Sequence, residues 1–263
     1  RRTGNSHGGG GIVIDLSDRR VLITGGSRGI GAACARSFAH AGAIVMVHYR
    51  GNEEAATLVQ GELEEISNRA HLKARADLSD PDGAGPLFER VRSEWGGLDC
   101  LVNNAGIWVH NPIDSLDDER LEETWRINVR APFVCAREAV PLLRDADDGN
   151  IVNIASTAGQ RGEAFYSPYA ASKGAIIAAT KSWSTELAPD IRVNAVAPGW
   201  VDTEMCIEPF ADGGRERIEA GIPLARVADP DDIAGPVLFM ASPLARHITG
   251  EILNVNGGSV LAG

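Results

Sequence analysis

Positive charge is scarce in this chain: 25 Lys and Arg residues stand against 36 Asp and Glu, giving a formal net charge of −11. Proteins that bind nucleic acid neutralise its phosphates with clustered basic residues, so this balance argues against a nucleic-acid partner. No apolar run approaches the ~20 residues of a membrane-spanning helix, and no apolar signal segment follows Arg1 and Arg2. We therefore expect no membrane partner.

Cysteine is also scarce, and its four positions are Cys34, Cys100, Cys135 and Cys206. None of them has C-x-x-C spacing, and the six histidines form no ligand cluster. This usage argues against a disulfide framework and a zinc site, and it predicts reduced thiols in a cytoplasmic protein without a metal.

The chain shows no interdomain linker, internal repeat or charge run, and its 263 residues are 44% hydrophobic, enough for a full core. Apolar strand candidates alternate with helical stretches. The strands are predicted near 20–24, 43–48, 71–75, 99–103, 150–155, 191–197 and 251–255. This alternation predicts an α/β class Rossmann fold over 12–263: a single domain with a doubly wound, parallel, seven-stranded sheet and helices on both faces. Residues 1–11 are expected to be a flexible tail.

The most informative segment is T-G-G-S-R-G-I-G at 24–31, between the first predicted strand and a helix at 29–40. Gly25, Gly29 and Gly31 allow a sharp turn and a close approach of the backbone to a ligand. The following helix N-terminus offers free N–H groups to an anion. The spacing differs from G-x-G-x-x-G, but its strand–turn–helix context favours a phosphate site over a bare turn.

The second predicted strand is followed by Tyr49 and Arg50. A dinucleotide fold that prefers NAD(H) usually carries an acidic residue here for the ribose 2′-hydroxyl. Arg50, together with Arg28 in the glycine turn, instead fits a 2′-phosphate, because guanidinium binds phosphate through a planar fork. The pair predicts NADP(H); the alternative is that both are solvated surface arginines.

Tyr169 and Lys173 lie one helical turn apart in a helix predicted over 164–187, which is entered through Pro168. An ammonium ~4 Å from the phenol, at an effective dielectric of ~20, attracts the phenolate by about 4 kcal/mol. Such a charge lowers the phenol pKa by up to about 3 units, towards the range of a general acid/base. Alone, the pair is equally typical of an ordinary amphipathic helix.

Further polar residues follow the predicted strands or lie on a helix near their ends. Ser156 ends the strand at 150–155, and Asn128 lies in a helix predicted over 121–143. Three more strand ends carry Asp77-Leu78, Asn103-Asn104-Ala105-Gly106 and Pro198-Gly199. Each group is also typical of turns and caps, but open α/β sheets bind ligands at this edge.

This ordered set of motifs resembles the short-chain dehydrogenase/reductase family, in its single-domain branch, from about residue 15 onwards. The glycine turn matches T-G-x-x-x-G-x-G, residues 103–106 match N-N-A-G, and Y-A-A-S-K at 169–173 matches Y-x-x-x-K. Asn128, Pro198-Gly199 and Asn256-Gly257-Gly258 also fall where the family has them. Within the family, the chain most resembles the 3-oxoacyl-carrier-protein reductases.

The resemblance implies an oxidoreductase with four catalytic residues. Tyr169 would donate a proton to the carbonyl oxygen in reduction and accept one in oxidation. Ser156 would hydrogen-bond that oxygen, and Lys173 would bind the nicotinamide ribose and lower the pKa of Tyr169. Asn128 would hold a water that connects Lys173 to solvent.

The resemblance also implies a cofactor site that wraps the phosphates with the glycine turn and lines the adenosine and nicotinamide ends with the later strand ends. Its residues are Gly25, Ser27, Arg28, Gly29, Ile30, Gly31, Tyr49, Arg50, Asp77, Leu78, Asn104, Ala105, Gly106, Tyr169, Lys173, Pro198, Gly199, Val201 and Thr203.

The substrate is expected to be a medium-sized, partly hydrophobic ketone or alcohol, because the family shapes its substrate site with segments that here are mostly apolar. The segments span 107–115, 157–168 and 200–225. They contribute a fairly apolar set in which Arg161 is the one basic residue: Ile107, Trp108, His110, Gln160, Arg161, Phe165, Tyr166, Trp200, Met205, Cys206 and Phe210. Thr185 stands where many carrier-protein reductases have a basic docking residue. Sugar, steroid and other alcohol dehydrogenases therefore stay open, as does a dinucleotide-binding regulator without turnover. The family's usual assembly predicts a homotetramer through helices around 117–143 and 166–187.

Overall fold

Seven strands form one parallel sheet in the computed structural model, which describes residues 14–261; the predicted tail lies outside the described residues. The strands are β1 (Arg20–Ile23), β2 (Ile44–Tyr49), β3 (Leu72–Arg75), β4 (Cys100–Asn103), β5 (Gly149–Ile154), β6 (Ile191–Pro198) and β7 (Ile252–Val255). Their order is β3-β2-β1-β4-β5-β6-β7, and every neighbouring pair is parallel. All seven predicted strands are confirmed to within two residues at each end.

The connections between strands are mainly helical. The α-helices are α1 (Gly29–His40), α2 (Glu53–Ile66), α3 (Ala84–Trp95), α4 (Asp118–Trp125), α5 (Ala131–Arg144), α6 (Ala158–Arg161), α7 (Ser167–Glu186), α8 (Ile207–Phe210), α9 (Gly214–Glu219) and α10 (Pro230–Ala241). Short 3₁₀ turns occur at Ile113–Ser115, Glu204–Cys206 and Pro243–Ala245.

The sheet is buried on both faces because successive strand side chains point to opposite sides. Val21 and Ile23 belong to a buried cluster with residues of α1, α2 and α10. Leu22, between them, belongs to a second cluster with residues of α3, α5 and α7. The doubly wound α/β fold predicted from the sequence is therefore confirmed.

One predicted helix, 121–143, is interrupted in the structure. Between α4 and α5 the chain forms a π-helical turn over Arg126–Arg130, which contains Asn128. Pro132 has no N–H and cannot donate the helical hydrogen bond to the carbonyl four residues earlier, which is that of Asn128. The wider turn is closed by the Ala131 N–H, which donates to the Arg126 carbonyl. Such turns occur often at functional sites.

Candidate active site

A cavity of about 740 Å³ runs along the carboxyl ends of the central strands. The residues that line it include every predicted catalytic and cofactor-binding residue except Gly31 and Asn128. The strand order reverses between β1 and β4, and ligands of open α/β sheets bind at such a switch point. The structure thus brings together residues that lie far apart in the sequence.

The glycine turn has the shape of an anion cradle. Gly25 and Gly29 adopt left-handed φ angles of +62° and +52°, which disfavour other residues. A Cβ on Gly31 would lie 2.3 Å from the Gly25 carbonyl oxygen, so Gly31 lets helix α1 close against the turn. No side chain caps this helix, and its first turn holds no acidic residue. The free N–H groups at its start fit the phosphates of a dinucleotide.

The turn is tied to the end of β4. The Thr24 hydroxyl accepts hydrogen bonds from the backbone N–H groups of Asn104, at 2.9 Å, and Ala105, at 3.0 Å. The Asn104 amide donates in return to the carbonyls of Thr24 and Gly25, at 2.9 and 3.0 Å. The Asn104 side chain therefore holds the cradle in shape, and Asn104 is also one of the residues that line the cavity.

His48 is a supporting residue that the sequence analysis missed. Its Nδ1 accepts a hydrogen bond from the Gly25 N–H at 3.0 Å, and its Nε2 lies 3.1 Å from the Ala76 carbonyl oxygen. These partners require a neutral ring with the proton on Nε2. Burial lowers the pKa of His48 to about 4. The only sequence signal was a histidine in an apolar strand, which by itself indicates no role.

We expect His48 to make stability depend on pH. The unfolded chain takes up the His48 proton below about pH 6.5, whereas the folded chain does so only near pH 4, so falling pH favours unfolding across that window. His48→Gln keeps a neutral hydrogen-bonding side chain that does not titrate. Between pH 7 and 4.5 the free energy of unfolding of the variant should fall by about 2 kcal/mol less than that of the parent. Urea unfolding at both pH values measures this, and equal losses in parent and variant would show that folding does not lower the pKa of His48.

The adenosine end of the cavity contains Tyr49, Arg50, Asp77 and Leu78. Hydrogen bonds from the Ser79 hydroxyl and N–H lower the pKa of Asp77, and the charge of the exposed Arg50 lowers it further. A further basic residue, also missed in the sequence, lies beside it: Arg75 Nε donates to the Arg50 carbonyl at 3.1 Å. Two guanidinium groups therefore lie at this rim, beside the Asp77 carboxylate.

Arg28 has a partner that the sequence did not predict. Its guanidinium forms an ion pair with Glu204 at 2.7 Å, and both side chains are about two-thirds exposed. Glu204 lies in the loop after β6, so the pair bridges the mouth of the cavity. Exposed ion pairs contribute about 0–1 kcal/mol to stability, so a phosphate group can replace Glu204 as the partner of Arg28 at little cost in free energy.

The predicted catalytic side chains Ser156, Tyr169 and Lys173 meet in the same cavity. The Ser156 hydroxyl hydrogen-bonds to the Tyr169 phenol and lowers its pKa, but burial dominates and raises the pKa of Tyr169 to about 12. Lys173 Nζ lies 5.9 Å from the centre of the Tyr169 ring and donates to the Ile154 carbonyl at 2.8 Å. Burial lowers the pKa of Lys173 to about 8.

One expectation about this pair is wrong for the isolated chain. We expected the Lys173 ammonium to lower the pKa of Tyr169, yet that pKa is raised. The expectation assumed a contact of ~4 Å and a screened charge, whereas burial penalises both the phenolate and the ammonium. At neutral pH Tyr169 is therefore a protonated acid.

Asn128 acts from behind the cavity wall. Its Oδ1 accepts from the Ile107 N–H and its Nδ2 donates to the Ile107 carbonyl, both at 2.8 Å. Its Nδ2 also donates to the Ser172 hydroxyl at 3.1 Å. Ser172 in turn donates to the Tyr169 carbonyl at 2.6 Å. The amide thus fastens the strand end after β4 to the catalytic helix α7.

The substrate end of the cavity is bounded by part of the predicted apolar set. The members that line it are Ile107, Trp108, Arg161, Trp200, Met205 and Cys206. Those that do not are His110, Gln160, Phe165, Tyr166 and Phe210. His110 is exposed and packs beside Phe165 and Tyr166, outside the cavity.

The remaining predicted features concern thiols, metals and membranes. The four cysteines are free and buried, and burial raises the pKa of Cys34, Cys100 and Cys135 to about 12. Within residues 14–261, no group of three or more His, Cys, Asp or Glu side chains is placed to hold a metal ion. No helix in the same span is long and apolar enough to cross a membrane.

Comparisons with known proteins agree with this geometry. A family model described as enoyl-(acyl carrier protein) reductase matches residues 25–259. The 3-oxoacyl-[acyl-carrier-protein] reductase of Staphylococcus aureus is 37% identical over 243 residues, covering 91% of this chain and 97% of the relative. The protein of that name from Thermotoga maritima is 34% identical, covering 94% of this chain and 99% of the relative.

The fold has solved counterparts as well. A crystal structure from Brucella melitensis, described as a short-chain dehydrogenase/reductase of the glucose/ribitol dehydrogenase type, superposes with a TM-score of 0.90 at 33% identity, covering 95% of this chain and all of that one. Sequence, fold and site geometry therefore agree, and the chain belongs to the short-chain dehydrogenase/reductase family of oxidoreductases that act on CH–OH and C=O groups.

Proposed function

We propose that this protein is an NADP(H)-dependent ketoreductase that transfers a hydride between the nicotinamide and a ketone or secondary alcohol. The observation that carries the proposal is that one cavity holds both an uncapped helix start at a glycine turn and the Ser156, Tyr169 and Lys173 side chains. When bound, the nicotinamide supplies or accepts the hydride. Relatives named 3-oxoacyl-[acyl-carrier-protein] reductase support the choice of a ketone.

Tyr169 and Ser156 are the residues that protonate and hydrogen-bond the carbonyl oxygen of the substrate. A phenol with a pKa of about 12 keeps its proton at neutral pH, so it can donate that proton as the oxygen gains charge. The Ser156 hydroxyl already hydrogen-bonds to the phenol and thus lies where it can hold the same oxygen.

Lys173 has two roles in the proposal. Its ammonium holds the ribose hydroxyls of the cofactor, and its charge stabilises the phenolate that forms as Tyr169 gives up its proton. A pKa of about 8 also lets it lose and regain a proton near neutral pH. A Cβ on Gly106 would lie 3.3 Å from Asn128 Oδ1 and 3.5 Å from Lys173 Nζ, so glycine keeps the space between these groups clear. We infer that a water there returns the proton.

Three arginines support NADP(H). Arg50 is exposed at the rim, Arg75 lies against its carbonyl, and Arg28 is at the phosphate turn. Tyr49 occupies the position of the acidic residue that would repel a 2′-phosphate. Arg50 is the stronger ligand of the two arginines predicted from the sequence, because Arg28 must first leave Glu204.

We expect kcat/KM to favour NADPH over NADH by about tenfold to a few hundredfold, since charge-assisted hydrogen bonds of roughly 1.5–3 kcal/mol are weakened at an exposed site. Tyr49→Asp combined with Arg50→Ala should reverse the preference, and Glu204→Gln, which frees Arg28, should increase it. Added salt should weaken it. Steady-state rates with both cofactors measure the ratio, and Arg246→Ala, outside the cavity, is the matched control. Equal kcat/KM values in the parent would remove the case for NADP(H).

The physiological substrate class needs a direct test. The relatives' names point to a carrier-bound 3-oxoacyl group, but Thr185 offers no positive charge to an acidic carrier, and Glu204 and Glu208 are exposed beside the cavity mouth. A screen with NADPH should therefore compare 3-oxoacyl thioesters, free and carrier-bound, with cyclic ketones, keto-sugars and steroid ketones. Turnover of any of them supports the ketoreductase, and tight NADPH binding without turnover supports the regulator.

The homotetramer and the cytoplasmic location stay predictions. The sequence alone leaves open whether Ile176, Ile177 and Trp183 of α7 face the sheet or a partner. Ile176 and Trp183 pack within the chain and are 2% and 9% exposed, and Ile177 is partly buried. Phe133 on α5 and Trp125 on α4 remain 45% and 38% exposed. They are the apolar residues of these helices that we propose to contact a second copy.

A further inference from the structure

Two tryptophans form an aromatic corner at the substrate end of the cavity. The rings of Trp108 and Trp200 both line the cavity, and they meet nearly at right angles, 89°, with their centres 5.9 Å apart. Tyr166 stacks on Trp108 at 4.2 Å and 9°, and it does not itself line the cavity. The stacking fixes Trp108, so the corner is a preformed surface.

Glu163 lines the cavity beside this corner. Trp108 Nε1 donates to Glu163 Oε2 at 3.3 Å, and the carboxylate is partly buried, which raises its pKa. Among residues 14–261, none donates a hydrogen bond to Oε1. Arg161 lies near enough to lower the pKa of Glu163 but forms no ion pair with it within 4.0 Å. One oxygen of a partly buried carboxylate is thus left to accept from whatever enters the cavity.

We propose that Glu163 determines substrate specificity: it accepts a hydrogen bond from a hydroxyl or ammonium group of a ketone whose carbon skeleton lies against Trp108 and Trp200. This inference rests on the proposed ketoreductase function and adds the substrate class to it. Aromatic faces suit both the C–H groups of a ring and a cation, and an ionised carboxylate accepts hydrogen bonds but donates none. A substrate with a donor satisfies Glu163, whereas a purely apolar one leaves its oxygen desolvated and unpaired.

Glu163 has more acceptor capacity than a structural role requires. Trp108 has one N–H, which engages one carboxylate oxygen. The stack with Tyr166 holds the Trp108 ring independently of Glu163. A carboxylate kept only to orient Trp108 would also not need to face the cavity that contains Tyr169.

The test compares cyclohexanones that carry a methyl, hydroxyl or ammonium group at the same ring carbon, C3 or C4. The readout is the ratio of kcat/KM between each donor-bearing ketone and its methyl analogue with NADPH, because a ratio cancels general losses of activity. The variants are Glu163→Gln, which keeps an acceptor for Trp108 but removes the charge, and Glu163→Ala. Glu208→Gln is the matched control: it removes a charge near Tyr166 but does not line the cavity.

In the parent we expect at least one donor-bearing ketone to exceed its methyl analogue by about tenfold in kcat/KM. Glu163→Ala should abolish the preference, and Glu208→Gln should keep it. Glu163→Gln identifies the donor: a hydroxyl preference should survive within about threefold, whereas an ammonium preference should be lost.

Two results would overturn the inference: a parent that prefers the methyl ketones, or a Glu163→Ala variant with the same ratios as the parent. Both would leave the ketoreductase standing, because the methyl ketones would still be reduced. Failure of the proposed function is different and visible in the same assay, since then no ketone would be reduced with either cofactor.

Discussion

Replacement of Tyr169 by Phe is expected to lower kcat/KM for ketone reduction by about 10³-fold, since a positioned general acid contributes roughly 10²–10⁴-fold. The variant removes the phenol oxygen, which keeps its proton at neutral pH because burial raises the pKa of Tyr169 to about 12. The ring that packs near Lys173 is kept. The rate is followed by the absorbance of NADPH with any ketone found in the screen.

NADPH affinity separates lost chemistry from lost binding. Its Kd, measured by fluorescence titration, should change by less than about threefold in Tyr169→Phe, because the glycine turn and the rim arginines are untouched. Tyr166→Phe is the control, as it deletes a phenol oxygen three residues away, outside the cavity. A Tyr169→Phe variant that keeps more than a tenth of the parent rate would mean that another group supplies the proton.

Replacement of Lys173 by Ala should damage both steps: we expect kcat to fall by about 10²-fold and NADPH affinity by about tenfold, the range for losing hydrogen bonds to a charged donor. The parent should also bind NADPH more weakly as the pH rises through and above about 8, because the ammonium is then lost. The variant lacks this group, so its Kd should not change over the same range. Titrations between pH 7 and 9.5 measure both effects.

Stability shows whether Lys173 acts through chemistry or through folding. Its ammonium is buried and its hydrogen bond goes to the neutral Ile154 carbonyl. Removing a desolvated charge without a counter-ion seldom costs stability, so Lys173→Met, which keeps the apolar stem, should unfold at the same temperature as the parent or higher. Lys181→Ala, exposed on the same helix, is the control. If Lys173→Met instead unfolds well below the parent, the lysine is a structural residue.

The features that sequence predicted well are those encoded over a few neighbouring residues. The alternation of apolar strands and helices predicted the parallel sheet. The spacing of Gly25 and Gly29 predicted the sharp turn between β1 and α1. Ser156 and the polar residues that follow the other strands lie at one edge of the sheet, because parallel strands end together. Gly31, whose contact with the cofactor stays a prediction, does not line the cavity and lets α1 approach the turn.

The features that could not be predicted from the sequence depend on partners that are distant in the chain. His48 supports Gly25 only because β2 lies beside β1, and the Arg28–Glu204 pair joins residues 176 positions apart. The interrupted helix at Asn128 was within reach of sequence, since Pro132 lacks the N–H that a regular helix needs there. The direction of the Tyr169 pKa shift could not be predicted from the sequence, because it depends on burial and not on the spacing to Lys173.

The position of Arg50 separates cofactor preference from the stability of the fold, two properties that are often coupled. The guanidinium that we propose to select the cofactor is exposed at the rim. The glycine turn that we propose to bind the phosphates is supported by Thr24, Asn104 and His48, whose hydrogen bonds lie inside the fold. A substitution at Arg50 therefore changes no core contact, so cofactor preference can drift between lineages without compensating changes in the sheet. A substitution at His48 or Asn104, in contrast, would disturb both the fold and the proposed phosphate site, so variation at these two positions would not be neutral.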